Sequence, residues 1–129
     1  IVFVGSKNSL VASANAAAYC TAKGAELQLA RSIALEGAQI GVRCNVVNPD
    51  AVIQGSKIWD GKWRKDRAAA YGIPESDLEA HYRRRSLLQL NVLPEDIAEA
   101  IAFFSSDLSS KSTGNIINVD AGHAPSFTR

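Results

Sequence analysis

"AAAYCTAKGAELQLARSIALEG" occupies residues 16–37. Alanine, leucine, glutamine and glutamate favour helix, and no proline interrupts the run. The stretch therefore predicts a long helix over residues 16–36, with Asn15 or Ser13 near its N-cap and Gly37 at its C-cap. Tyr19 and Lys23 stand four residues apart, which places a phenol and an ammonium on one face, one turn from each other. Ala18, Ala22 and Gly24 keep that face low, where a helix that only fills a core would carry larger apolar side chains.

The flanks set this helix in a sheet. "IVFVGS" precedes it, and its fully apolar start is the pattern of a strand covered on both faces, over residues 1–4. "GVRCNVV" follows as a second strand over residues 41–47, stopped by Asn48 and Pro49. Residues 54–90 form a long charged insertion, with short helices expected at 59–71 and 76–85 around a break at Gly72 and Pro74. Pro94 opens another helix over 95–106, which has acids in its first turn. "NIINV", residues 115–119, is a last strand, and "DAG" follows at 120–122.

Strand, helix, strand, insertion, helix, strand is the order of an α/β domain with a parallel sheet and right-handed crossovers. Ligands in such sheets bind beyond the carboxyl ends of the strands. Ser6, Pro49, Asp50 and the 120–122 turn leave those ends, on the rim that Tyr19 and Lys23 share.

Composition narrows the class. A chain of 129 residues makes at most one domain, and its 47% hydrophobic and 21% charged residues are ordinary for a globular one. The net charge of +1 gives no signal for a nucleic-acid or membrane partner. No apolar run approaches the ~20 residues that cross a bilayer. Cys20 and Cys44 have neither metal spacing nor a disulfide framework, and they read as reduced thiols in a cytoplasmic protein. His81 and His123 lack ligand partners, so no metal is expected. The absence of Met and the opening inside a strand suggest the C-terminal part of a longer chain.

Ser6, Tyr19 and Lys23 together suggest proton transfer. A free phenol has a pKa near 10 and is a poor base at neutral pH, but neighbouring cations favour its anion. Tyr19 could then take the proton of a substrate hydroxyl while Ser6 orients the same oxygen. A lone Tyr-x-x-x-Lys says little, because such pairs are ordinary on helix surfaces. The thirteen-residue spacing from Ser6 to Tyr19 is what gives it weight.

At these residues the chain resembles the short-chain dehydrogenase/reductase family, whose site is a Ser followed thirteen residues later by Tyr-x-x-x-Lys. "YCTAK" fits that motif, "LARSIALEGAQIGVRCNVVNP" resembles the next helix and strand, and "STGNIINVDAG" resembles the last strand. The resemblance covers nearly the whole chain. It implies the C-terminal part of a doubly wound, Rossmann-like domain and a nicotinamide cofactor, NAD or NADP. Tyr19 would be the general acid/base, Lys23 would hold the nicotinamide ribose and Ser6 would position the substrate. It also implies cofactor contacts at Tyr19, Lys23, Pro49, Asp50 and Val52, and substrate contacts at Ser6, Gln54 and Trp59.

Three departures stand out. The family's Gly-rich phosphate loop and upstream catalytic Asn do not occur in these residues. Its Pro-Gly after the second strand is Pro49–Asp50, and its usual Thr near the cofactor amide is replaced by Gln54 or Ser56. Residues 47–64, and the run from Ala69 to Ala100, further resemble dehydrogenase domains fused behind a rhamnulose-1-phosphate aldolase domain. That implies oxidation of lactaldehyde, or its reduction to a diol, in rhamnose breakdown, in a homo-oligomer. The rival from another class is a non-catalytic assembly domain, and a nucleotide-sugar epimerase is a third reading.

Several residues read two ways. Asp50 is a ligand contact or a turn residue after Pro49. Arg83, Arg84 and Arg85 are an anion patch, a contact for the aldolase domain or a solvated helix face, the last being favoured. Trp59 and Trp63 form one face of a lid or ordinary core. Cys20 is expected to be buried, off the catalytic face.

Overall fold

A computed structural model describes residues 1–127. Three parallel strands, β1 (Val2–Val4), β2 (Asn45–Pro49) and β3 (Ile116–Val119), form one sheet in the order β1-β2-β3. Val2 pairs with Asn45 and Val4 with Val47, while Val46 pairs with Ile116 and Pro49 with Val119. Helix α1 (Ala17–Gly37) connects β1 to β2; α2 (Lys62–Tyr71), α3 (Leu78–Arg84) and α4 (Pro94–Ser105) lie between β2 and β3.

The two-residue period of the strands sorts side chains into two cores. Val46, Phe3 and Ile116 pack with Leu27, Ala30 and Ala34 of α1. Val47, Val2 and Ile117 pack with Ile97 and Phe104 of α4. Burying a leucine such as Leu27 contributes about 1.5–3 kcal/mol. The insertion has a third core of its own, in which Trp59, Ala68 and Leu78 are buried against Trp63, Tyr71 and Tyr82.

The boundaries moved for local reasons. β2 starts at Asn45 instead of residue 41, because the residues before it bond to the turn ahead of β3. Arg43 donates to the carbonyls of Ser106, Ser109 and Ser112, and the Cys44 N–H to Thr113 Oγ1. β2 also runs through Pro49, whose missing N–H is tolerated at a strand end. Gly37 is not the left-handed stop. It stays helical at φ −72°, and a Cβ there would lie 3.0 Å from the Val42 carbonyl. A 3₁₀ turn follows and Gly41, at φ 75°, reverses the chain. The N-cap is Ala16, without a side-chain bond, instead of Asn15 or Ser13. α4 behaves as its sequence suggests, with Pro94 in its first turn and the Asp96 carboxylate accepting from the Leu93 N–H at 2.8 Å.

Among the described residues no helix is long and apolar enough to cross a membrane, and no cluster of three ligating side chains could hold a metal ion.

Candidate active site

A cleft of about 190 Å³ opens where the chain leaves β1 and β2. Ser6 and Lys7 line it from the end of β1, Tyr19 from α1, and Pro49, Asp50 and Val52 from the end of β2. Trp59, Trp63, Arg67 and Tyr71 close it from the insertion.

Asn48 fixes the Ser6 corner. It is fully buried in β2; its Oδ1 accepts from the Ser6 N–H at 3.1 Å and its Nδ2 donates to Ser9 Oγ at 2.9 Å. Gly5 makes room for it, since a Cβ there would stand 2.4 Å from Asn48 Oδ1. The Ser6 hydroxyl accepts from the Asn8 N–H at 3.1 Å, so its own proton is free to be aimed at a ligand. The Tyr19 ring lies against Trp63, with centroids 5.9 Å apart and planes tilted 45°.

Lys23 sits a turn beyond the cleft and does not line it. Its Nζ donates to Glu26 Oε2 at 2.8 Å and to the last carbonyl of β1, at Val4, at 3.4 Å. Ala18 and Ala22 beside it are exposed, and a Cβ on Gly24 would meet open space. This face of α1 is therefore bare, and the small residues along it leave room for a bulky group.

The cleft floor is an ionic cluster that the sequence reading missed. Lys7 Nζ lies 3.1 Å from Asp50 Oδ1, and Arg85 donates to both Asp50 oxygens at 3.0 and 2.7 Å. Asp50 lines the cleft with its carboxylate held between these two cations, so it is more than a turn residue. Arg85 corrects an expectation, for it belongs to no solvated face: it is half-buried, with its guanidinium over the Tyr82 ring at 4.1 Å, while Arg83 and Arg84 are exposed. Burial pushes Lys7 below its usual pKa despite Asp50, and Arg85 close by acts in the same sense. Arg85 also suffers from burial, yet Asp50 and the two phenols Tyr82 and Tyr71 outweigh it and raise its pKa. Burial and the hydrogen bond with Tyr71 raise the pKa of Tyr82, which stays a phenol.

Gln54 also departs from expectation. It turns away from the cleft and donates to Glu79 Oε1 at 3.1 Å, because that acid on α3 offers a partner the cleft does not. Trp59 is both things the sequence allowed: a core residue, edge-on to Tyr82 at 5.4 Å, and part of the cleft wall. Cys20 is only half-buried, and its Sγ accepts from Asn8 at 3.4 Å. Of the residues missed, Lys7 had a signal in its place next to Ser6 at a strand end. Arg85 stood out only as part of the 83–85 run and Arg67 not at all, because their partners Asp50 and Ala14 come from distant segments.

A family model described as enoyl-(acyl carrier protein) reductase matches residues 1–124. The crystal structure of a short-chain dehydrogenase family protein from Francisella tularensis superposes on 95% of the chain at 32% identity, with a TM-score of 0.78 over half of that protein. The chain belongs to the short-chain dehydrogenase/reductase family. Uncharacterized oxidoreductase YuxG of Bacillus subtilis is 57% identical over all 129 residues, which are 19% of its length. The cis-4-hydroxycyclohexanecarboxylate dehydrogenase of Sinomonas cyclohexanicum is 34% identical over 123 residues, or 95% of this chain and 44% of that protein. The chain therefore spans less than half the length of either relative.

Proposed function

We propose that these residues form the catalytic part of an NAD(P)-dependent short-chain oxidoreductase that interconverts a small secondary alcohol or hydroxy-aldehyde with its carbonyl partner. The observation that carries this reading is the meeting of Ser6 and Tyr19 in one cleft at the carboxyl end of a parallel sheet. The bare face of α1 and the Pro49–Val52 turn suit the nicotinamide end of such a cofactor. When bound, that cofactor accepts or donates the hydride.

The chain's own groups do the rest. Tyr19 Oη takes the proton of the substrate hydroxyl during oxidation and returns one during reduction. Ser6 Oγ donates to the same oxygen, held in place through Asn48. Lys23 would hold the ribose of that cofactor, which requires it to leave or share its bond to Glu26. The aromatic wall of Trp59 and Trp63 excludes water.

Lactaldehyde is the first substrate to test, with a role in rhamnose breakdown in the cytoplasm. Its oxidation to an acid would proceed through the hydrate, because hydride must leave a carbon that bears a hydroxyl. The reading extends to a longer protein with an N-terminal aldolase domain that assembles as a homo-oligomer, and to inactivity of these 129 residues alone. Leu29 and Leu35 of α1, 52% and 78% exposed, are apolar surface available for assembly.

Tyr19→Phe in the full-length protein tests the mechanism. Turnover should fall at least ~10²-fold while the melting temperature holds. Near wild-type turnover removes Tyr19 from the chemistry. Failure of the full-length protein to bind NAD or NADP favours the assembly-domain rival.

A further inference from the structure

We propose that Arg67 anchors an anionic group of the substrate, so that the preferred alcohol carries a carboxylate or a phosphate. This rests on the dehydrogenase reading above, narrows its substrate class and sets it against lactaldehyde, which is neutral.

Arg67 is only 6% exposed, yet among the described residues no carboxylate lies within 4.0 Å of its guanidinium. Its terminal nitrogens reach one neutral acceptor, the Ala14 carbonyl, at 3.3 and 3.4 Å. Its Nε is buried without any partner. The Trp63 and Tyr71 rings lie 5.5 and 5.3 Å from the guanidinium carbon and give it shape and partial compensation. A buried cation without a counter-charge is costly, and proteins seldom keep one. Arg85, just past the end of α3, shows the ordinary solution, a carboxylate: both Asp50 oxygens accept from its Nη2.

The position of Arg67 says where its missing anion would be. It lines the same cleft as Ser6 and Tyr19. Trp63 lies next to both the Tyr19 ring and the Arg67 guanidinium, so the two belong to neighbouring stretches of one cleft wall. The charges beneath the cleft favour an anion as well, because Lys7 in its wall and Arg85 behind it share the single carboxylate of Asp50. The flat fork of a guanidinium suits either a carboxylate or a phosphate. A neutral substrate such as lactaldehyde leaves Arg67 uncompensated.

The experiment uses the full-length protein and three alcohols of similar length: 3-hydroxybutyrate, 2-hydroxypropyl phosphate and neutral 1,3-butanediol. Charged hydrogen bonds of this kind should give at least one anionic alcohol a kcat/KM about 10- to 10²-fold above the diol. The better of the two tells carboxylate from phosphate. Arg67→Gln should collapse that ratio towards one and Arg67→Lys should keep part of it, while the cofactor dissociation constant moves less than about twofold. Equal use of the anionic and neutral alcohols by the wild type overturns the proposal without needing any variant. An equal loss on all three alcohols in Arg67→Lys, or loss of cofactor affinity in its place, overturns it too. A second readout does not depend on turnover. Acetate and inorganic phosphate should change the tryptophan fluorescence saturably, through Trp63, in the wild type but not in Arg67→Gln. Saturable binding without turnover of any alcohol would sink the dehydrogenase reading and keep the anion site, whereas absence of the fluorescence change sinks the anion site.

Discussion

Lys7 Nζ lies 3.1 Å from Asp50 Oδ1, with both side chains more than nine-tenths buried. Asp50 also holds Arg85, so one carboxylate serves two cations beneath the cleft. Asp50→Asn would leave both cations without a counter-charge. Removing one partner of a buried pair costs about 3–5 kcal/mol, and that loss is the expected result in urea unfolding of the full-length protein. Lys7→Met added to Asp50→Asn should restore part of it, since the two effects are coupled. Additive losses would mean that the pair is not energetically linked.

The contrast between Asp50 and Ser6 shows what sequence could reveal. Ser6 and Tyr19 could be set on one rim from sequence because one leaves a strand end and the other lies on the helix that follows, and both line the cleft, whereas Lys23 lies a turn beyond it. The strands were legible too: Val46 and Val47 must face opposite layers. The ionic floor was not, because Lys7, Asp50 and Arg85 come from three separate segments, and only tertiary packing decides which charges meet. The start of β2 was missed because Val42 and Arg43 have strand-like neighbours in sequence, while the Arg43 side chain is spent on the turn before β3. Lys23 was placed on the right helix face, but its bond to Glu26 depends on rotamers that spacing does not fix.

The packing of Gly5 against Asn48 gives a second prediction. A methyl group at Gly5 would stand 2.4 Å from Asn48 Oδ1, an approach that must displace one of them. Gly5→Ala should cost about 1–3 kcal/mol of stability and shift Ser6, lowering turnover more than cofactor affinity. Gly5→Ala with Asn48→Ala relieves the clash. The double variant should therefore recover part of the lost stability in a melting experiment, but not turnover, because the Ser6 N–H has lost its acceptor. Full recovery of turnover would show that Asn48 does not position Ser6.

The histidines set the response to acid. Burial lowers the His123 pKa from its ordinary 6.5, and Lys7 and Arg85 add to this against Asp50 and Asp120. Burial, with Arg85 and Arg84, lowers His81 in the same way. Just below pH 6.5 the unfolded chain therefore binds more protons than the folded one, and stability falls as pH drops through that window. Lys7 has the same sign below its ordinary 10.5, so its own contribution makes stability rise with pH as that value is approached from neutral. Urea midpoints should decrease between about pH 7 and 5, with a shallower slope in His123→Gln. An unchanged slope in that variant would assign the acid response to other groups.

The insertion should behave as a lid. Residues 54–90 wall the cleft through Trp59, Trp63, Arg67 and Tyr71, and pack around a core separate from those of the sheet. Long segments of this kind are often binding loops. Amides of α2 and α3 should exchange faster than those of α1 in the ligand-free full-length protein, and slow when cofactor and an alcohol are added. Exchange as slow as in α1, unchanged by ligand, would make the segment a fixed wall.

The edge of the sheet yields the last prediction. Among the described residues β1 has a partner on one side only, and Ile1 and Val4 are 60% and 46% exposed. An apolar strand with one open side is a template for pairing with another chain. Expressed by itself, the 129-residue chain should therefore self-associate, and it should bind NAD weakly because no Gly-rich phosphate loop occurs among its residues. Val4→Lys places a charge on that edge and should shift the population towards monomer, since edge lysines oppose such pairing. Sedimentation velocity with an NAD titration reads both effects. A monomer that binds NAD tightly before any substitution would show that the open side of β1 is neither a pairing surface nor the missing wall of a dinucleotide site.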